Sequence, residues 1–356
     1  MAGTGPEIRG IIATCLTPFD RERQVDYTAL AREVDYLVRD CRADAIAIGA
    51  TEDAEYTMLR WEQRKELMAR GTEIVARRAP VIVGISHPSP DRAVELAEHA
   101  AAVGADAVHL LMPIRLWGGE PDPDEIHDYV ADIARRSPLP VCVAHNRGPG
   151  ADPPIPLYVR ISEVFNAPYI LETSGDVTKI SRLIEEIDRR CTARYFTTGE
   201  SLLLNLVLGG SGAALPPPAA RIGAEVVRAF REGDIPRATE WQRILGLFPS
   251  RWARFGAPPV MKAAMHHLGI DLGTPMPPYG VLPKWDDAQI RQFLEEVGLK
   301  EPGEDAPAPA GTLAPIGLDR SRLAGAGPAP GEAEDSGRAP RRRGRNRRGS
   351  SVTDFH

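Results

Sequence analysis

Cysteine is scarce in this chain, and the four present, Cys15, Cys41, Cys142 and Cys191, are scattered without a C-x-x-C pair. That spacing argues against a disulfide framework and against a cysteine-based zinc site, so they read as reduced, mostly buried thiols. Long apolar runs are missing too. Stretches such as Ala213 to Leu215, or Val108 to Pro113 with His109 inside, fall far short of the roughly 20 residues a membrane-spanning helix needs. The N-terminus has no basic segment followed by an apolar stretch, so no secretion signal is expected and the reading is cytoplasmic. An excess of positive charge is lacking: the formal net charge is −6, which gives the folded part no reason to bind nucleic acid. Lysine is rare, occurring only at Lys65, Lys179, Lys262, Lys284 and Lys300.

What is present is the material of a globular protein, with 43% hydrophobic and 26% charged residues, enough apolar surface for a sizeable core. From Gly10 to about Leu215, short β-branched runs alternate with longer helical ones, the pattern of parallel βα units. The strand candidates are Ile11 to Leu16, Ala45 to Gly49, Val81 to Ile85, Ala107 to Met112, Val141 to Ala144, Tyr169 to Leu171, Tyr195 to Thr198, and Ala213 to Leu215. Between them, stretches such as Tyr27 to Val38, Trp61 to Ala76, Ala93 to Val103 and Val177 to Ile187 carry apolar residues at three- and four-residue spacing. Eight such units, without a glycine fingerprint for a dinucleotide after the first strand, predict a closed (β/α)8 TIM barrel of the α/β class.

The chain divides accordingly into an N-terminal arm over 1–9, the barrel over 10–218, C-terminal helices over 219–300 and a tail over 301–356. Ala219 to Arg231, Pro236 to Leu247, Pro258 to Leu268 and Asp286 to Val297 are read as an appendage that a minimal barrel would not need. The tail is rich in proline, glycine and alanine and ends in the run Arg341 to Arg348, a composition expected to stay disordered. If nucleic acid is bound at all, the arginine run is where it would bind; a solvated tail is the plainer reading.

The order of segments from about Gly10 to Leu299 resembles the dihydrodipicolinate synthase and N-acetylneuraminate lyase family. The resemblance rests on Gly10-Ile-Ile-Ala-Thr-Cys-Leu-Thr-Pro-Phe-Asp, Leu59-Arg-Trp-Glu-Gln-Arg-Lys-Glu-Leu, Pro80-Val-Ile-Val-Gly-Ile, Glu172-Thr-Ser-Gly-Asp-Val, Leu208-Gly-Gly-Ser-Gly and Pro259-Val-Met-Lys-Ala-Ala, which occur in the family order. It implies a lyase or aldolase acting on a small oxo acid, assembled as a homo-oligomer, a tetramer or dimer. Family chemistry runs through a lysine ending the sixth strand, which forms a Schiff base with the 2-oxo acid.

Three family marks depart here. The motif that would carry the lysine reads Ile170-Leu171-Glu172-Thr173-Ser174-Gly175-Asp176, which puts Leu171, a side chain without an amine, at the lysine position. The family's Gly-Thr-Thr-Gly-Glu loop, which holds the oxo-acid carboxylate, becomes Gly49-Ala50-Thr51-Glu52-Asp53-Ala54-Glu55, two residues longer if Glu55 matches the glutamate. Thr51 keeps one hydroxyl, while Glu52 and Asp53 bring negative charge to an anion site. The Tyr-Asn pair ending the fifth strand becomes Ala144-His145-Asn146-Arg147.

Barrel enzymes carry their sites at the C-terminal strand ends, and the residues there are polar: Thr51 to Glu55, His87, Arg115, Trp117, His145 to Arg147, Glu172, Thr173 and Glu200. We expect His145, Glu172 and Thr173 to carry acid/base chemistry, His145 because its ordinary pKa lies near neutrality. Thr51, Glu55, Arg115, Asn146, Arg147 and Glu200 are the expected substrate contacts. His145 would instead point to the helices if it shares a face with Val141 and Val143, and alternation sends Glu172 opposite to Leu171 and Thr173. His87, His145, Glu172 and Glu200 could in principle ligate a metal, but no H-x-H or H-E-x-x-H spacing supports one, so neither metal nor cofactor is expected. His109 reads as a core histidine with its hydrogen bonds satisfied. The competing function class is a non-catalytic barrel that binds a metabolite or partner.

Overall fold

The computed structural model describes residues 5–114, 119, 121–145 and 152–300. Arg115, Trp117, Asn146, Arg147 and the 301–356 tail lie outside the described residues.

Eight parallel strands close into a barrel in sequence order: β1 (Gly10–Thr14), β2 (Ala45–Ile48), β3 (Val81–Gly84), β4 (Ala107–Leu111), β5 (Val141–Ala144), β6 (Tyr169–Leu171), β7 (Arg194–Thr197) and β8 (Gly212–Leu215). The expected TIM barrel is therefore the observed fold. Helices α1 (Tyr27–Arg39), α2 (Trp61–Val75), α3 (Pro90–Ala102), α4 (Pro123–Arg136), α5 (Ile155–Ser162), α6 (Val177–Leu183) and α7 (Leu202–Val207) follow the first seven strands in turn. Asp26 caps α1 by accepting from the Thr28 and Ala29 amides, and Asp176 caps α6 by accepting from Lys179 N. Helix α3 begins three residues earlier than its apolar periodicity, because Pro90 occupies the first turn, where its missing N–H costs nothing.

One grouping of elements changes. Helix α8 (Ala219–Arg231) packs on β8 and β1, with Gly223 set against Leu215 and Ile11, so it is the eighth barrel helix and not part of an appendage. The reason is topological: a closed barrel needs a cover over the β8–β1 seam. Beyond it come α9 (Ile235–Leu245), α10 (Ala257–His267) and α11 (Lys284–Glu296).

Strand pleat sorts the side chains into two cores. Ile12, Ala45, Ala47, Ile82, Ala107, Cys142, Tyr169 and Phe196 fill the lumen. Ile11, Ala13, Ile46, Ile48, Val108, Val141, Val143 and Ile170 face the helices. Lumen contents alternate small and large, which lets Tyr169 and Phe196 fit beside the alanines. At the seam, Gly212 has φ +137°, and a Cβ there would sit 1.9 Å from the Gly10 carbonyl oxygen. At Gly84 a Cβ would come 1.9 Å from Gly49 O, so the chain leaving β2 crosses β3 only because that side chain is absent.

His109 faces the lumen on β4, between Gly84 and Cys142. Burial drives its pKa down to about 4, which keeps the ring neutral in the core, but neither ring nitrogen has a hydrogen-bond partner among the described residues, so the satisfied bonds expected from the sequence are not found.

Behind the barrel mouth lies a buried ion pair that joins distant parts of the chain. Glu55, at the end of the β2 loop, accepts from Met276 N (2.5 Å) and meets Lys262 Nζ of α10 at 2.6 Å, both side chains being almost fully enclosed. The Lys262 ammonium also stands 4.5 Å from the centre of the Phe19 ring. Nearby, Glu33 of α1 accepts from Leu16 N at 2.7 Å, and burial pushes its carboxyl up to about 8, against the opposing pull of that amide and of Lys262.

Two outcomes follow for stability. Lys262→Met should cost about 3–5 kcal/mol by leaving Glu55 buried and unpaired, read from urea unfolding; a loss below about 1 kcal/mol would mean that Glu55 finds water or another partner. Between its ordinary value of 4.5 and about 8, Glu33 holds in the folded state a proton that the unfolded chain releases. Stability should therefore fall as pH rises through that window and level off above it. Glu33→Gln should flatten this slope, and parallel pH curves for wild type and variant would remove Glu33 as its source.

Candidate functional site

The C-terminal ends of the strands open on a cavity of about 970 Å³, walled largely by apolar side chains including Leu111, Ile114, Leu171, Leu245, Phe248 and Met261. Its floor is set by pleat. Ala144 of β5 and Leu171 of β6 are register partners and both face inward, as does Ala214 of β8. Thr173, two residues past Leu171, faces the cavity as well. The lining carries Glu52, Asp53 and Glu200 but, among the described residues, no lysine or arginine.

His145 follows β5 directly. Its amide donates to Leu171 O at 2.9 Å, which continues the strand ladder by one residue and fixes the backbone. The ring lines the cavity while the residue is only 6% exposed. Its Nδ1 lies 3.4 Å from Thr173 Oγ1 and 3.8 Å from Glu172 Oε1. The imidazole thus stands at the rim between cavity and helix layer, a position intermediate between the two that the sequence left open.

Glu172 is turned away from the cavity and fully buried, as alternation after Leu171 requires. Its Oε1 accepts from Ser174 N at 2.6 Å, and its Oε2 accepts from the Tyr195 hydroxyl at 3.1 Å. Tyr195 belongs to the helix-facing layer of β7, and burial together with the Glu172 charge raises its phenol pKa steeply. Glu172 is therefore a clamped carboxylate behind His145, not a wall residue.

The His145 ring, Glu172 and Asp152 bring their ligand atoms within 4.8 Å of one another, a set that could hold a cation. The Lys179 ammonium is already paired with Asp152 and sits 5.3 Å from the Tyr158 ring centre. Both Glu172 oxygens are engaged as well, by Ser174 N and the Tyr195 hydroxyl. Of the other two ligands weighed from the sequence, Glu200 lies on the cavity wall and His87 lines a neighbouring cavity.

The β2 loop places Thr51, Glu52 and Asp53 on the wall but withdraws Glu55, expected to contact substrate, into its ion pair with Lys262. Asp53 accepts from the hydroxyls of Thr51 and, at 2.9 Å, Thr14. Burial raises its pKa, and these two hydroxyls oppose the rise. Thr14 was missed in the sequence, although its place two residues beyond Ile12 on β1 puts it in the lumen. Tyr279 was missed for another reason: it arrives from the segment between α10 and α11, far away in sequence. Its phenol pKa is raised by burial first, then by the charges of Glu55, Glu52 and Asp53.

Comparison with known proteins agrees with this fold. The model of the dihydrodipicolinate synthetase family matches residues 7–297. The 4-hydroxy-tetrahydrodipicolinate synthase of Methanothrix thermoacetophila is 28% identical over 296 residues, covering 81% of this chain and 97% of the relative. A solved dihydrodipicolinate synthase from Bacillus anthracis superposes with a TM-score of 0.73 at 25% identity, over 83% of this chain and 100% of that one. An N-acetylneuraminate lyase from Mycoplasma synoviae shares the fold, with a TM-score of 0.71 at 19% identity over 82% of this chain and 98% of its own. A barrel built this way, matched by the family model from residue 7 to residue 297, belongs to the dihydrodipicolinate synthetase family of aldolases and lyases.

Proposed function

We propose that this chain is a lyase that acts on a small oxo acid or related carbonyl compound without a lysine Schiff base, with His145 carrying the proton. The observation that carries the reading is the placement of His145, whose ring lines the cavity beside Thr173 and is backed by buried Glu172.

The imine-free part of the reading is supported by what lines the cavity. Leu171 ends β6 where the family motif, aligned on Glu172-Thr173-Ser174-Gly175-Asp176, carries its lysine. Of the other amines, Lys65 pairs with Glu95, Lys179 with Asp152, Lys262 with Glu55, and Lys300 donates to His267 O. A hydrocarbon at the strand end offers no covalent handle.

Without an imine, the electrons released when a carbon–carbon bond breaks beside a carbonyl must move onto the carbonyl oxygen as an enolate. A proton donor aimed at that oxygen stabilises the charge, and the same group in its neutral form can remove the proton in the reverse direction. An imidazole suits both roles, and the Glu172 carboxylate lies 3.8 Å from its Nδ1. Tyr195 and the Ser174 amide hold Glu172 still, so its field acts from a fixed direction. Thr51, Thr173 and Glu200 are the proposed substrate contacts on the wall, with Arg115, Asn146 and Arg147 retained as expectations from the sequence. No helix among the described residues is long and apolar enough to cross a membrane. We further propose a homo-oligomer and a cytoplasmic site.

A non-catalytic binding barrel is the second reading, favoured by the same Leu171. Turnover separates the two. In a screen of oxo acids and aldehydes, wild type should convert at least one pool, and His145→Ala should lower kcat by about 10²-fold or more; unchanged turnover would remove His145 from the mechanism, and no turnover in wild type would leave the binding barrel. Glu172→Gln should lower kcat more than it raises KM, since it touches no substrate. Pyruvate with borohydride should leave the intact mass unchanged, and a stable lysine adduct would overturn the imine-free reading.

A further inference from the structure

A second cavity, of about 360 Å³, adjoins the first and shares Tyr56, Thr57, Leu111 and Ile114 with it. Arg64 of α2 forms part of its wall and is only 8% exposed. Its terminal nitrogens donate to Gly84 O and Ser86 O, each at 3.1 Å, and its guanidinium carbon stands 4.9 Å from the centre of the Tyr56 ring. These two bonds use two of the five N–H donors of a guanidinium. No carboxylate among the described residues pairs with it; the ionisable group that acts on it is the Tyr56 phenol, and burial lowers its pKa. A charge so enclosed, held among the described residues by two carbonyls, carries a desolvation cost that an incoming anion would offset.

The rest of the wall points the same way. His87 Nδ1 accepts from Ser89 N at 3.0 Å, which places the ring proton on Nε2 and makes the ring a donor. Burial lowers the His87 pKa, and the charges of Arg64 and Arg92 lower it further, so the local potential is positive. The acidic residues Glu52, Asp53 and Glu200 lie on the main cavity instead. Two contiguous cavities therefore carry opposite charge, one with carboxylates beside His145, the other with a buried guanidinium.

We propose that the cavity walled by Tyr56, Arg64, His87 and Tyr129 is an anion subsite that receives the carboxylate of the substrate, with the carbonyl directed into the main cavity. The anchor for the acid thus sits on α2 and the β3 loop, while Asp53 occupies the β2 loop. The choice of an oxo acid rests on the function proposed above; the subsite itself requires no turnover.

Binding of sodium pyruvate and of neutral methyl pyruvate to the full chain, by calorimetry, tests this. Methyl pyruvate should bind about tenfold more weakly or worse, the equivalent of one charge-assisted contact. Arg64→Gln should weaken pyruvate by about tenfold and leave methyl pyruvate unchanged, with Arg64→Lys restoring part of the loss. Since Arg64 also pins two strand-end carbonyls, His87→Gln serves as a second variant and should weaken pyruvate by about fivefold. Equal affinity for the two probes, unaltered pyruvate binding in both Gln variants, or no pyruvate binding at all would overturn the subsite. Calorimetry reads no turnover, so failure of the catalytic reading would show in turnover alone and leave this result standing.

Discussion

Everything at the mouth of this barrel depends on the pleat of a closed parallel sheet. Once eight strands close in register, successive side chains must go alternately to the lumen and to the helix layer. That constraint sends Leu171 and Thr173 into the cavity and Glu172 behind it. It also brings Tyr195, on the neighbouring strand but the same outer face, within hydrogen-bonding distance of Glu172. A one-residue slip in β6 would exchange the roles of hydrocarbon and carboxylate.

The cavity wall is completed by parts of the chain that the barrel alone would not fix. The Glu55–Lys262 pair and the Met276 amide tie the β2 loop to α10 and to the segment after it. With that tie in place, Met261 and Tyr279 become part of the wall. Glu55, at the end of the β2 loop, thus works as a tether between distant segments, and the cavity-facing positions of that loop fall to Thr51, Glu52 and Asp53.

Charge is distributed unevenly over this surface. The wall around His145 carries carboxylates, and among the described residues two buried lysines are paired, Lys179 with Asp152 and Lys262 with Glu55. Arg64 differs from these lysines in that its polar contacts among the described residues are carbonyl oxygens, with a ring beside it, and no carboxylate pairs with it there. Electrostatic complementarity of this kind orients a polar ligand more than it tightens its binding.

The sequence by itself determined the barrel, because short β-branched runs alternating with helical runs of three- and four-residue apolar spacing are local properties that survive without tertiary context. It also determined that β6 ends on a side chain without nitrogen, and that Glu172 opposes Leu171. Only the tertiary structure decided that α8 covers the seam, that Glu55 is withdrawn into an ion pair, and that His145 stands between cavity and carboxylate. Local pattern gives the face of a strand, but where a side chain ends up just beyond the last ladder bond is set by packing between segments far apart in the chain. Arg64 shows this most clearly: in sequence it is one charge among several on an amphipathic helix, and only the folded barrel encloses it with no carboxylate paired to it among the described residues.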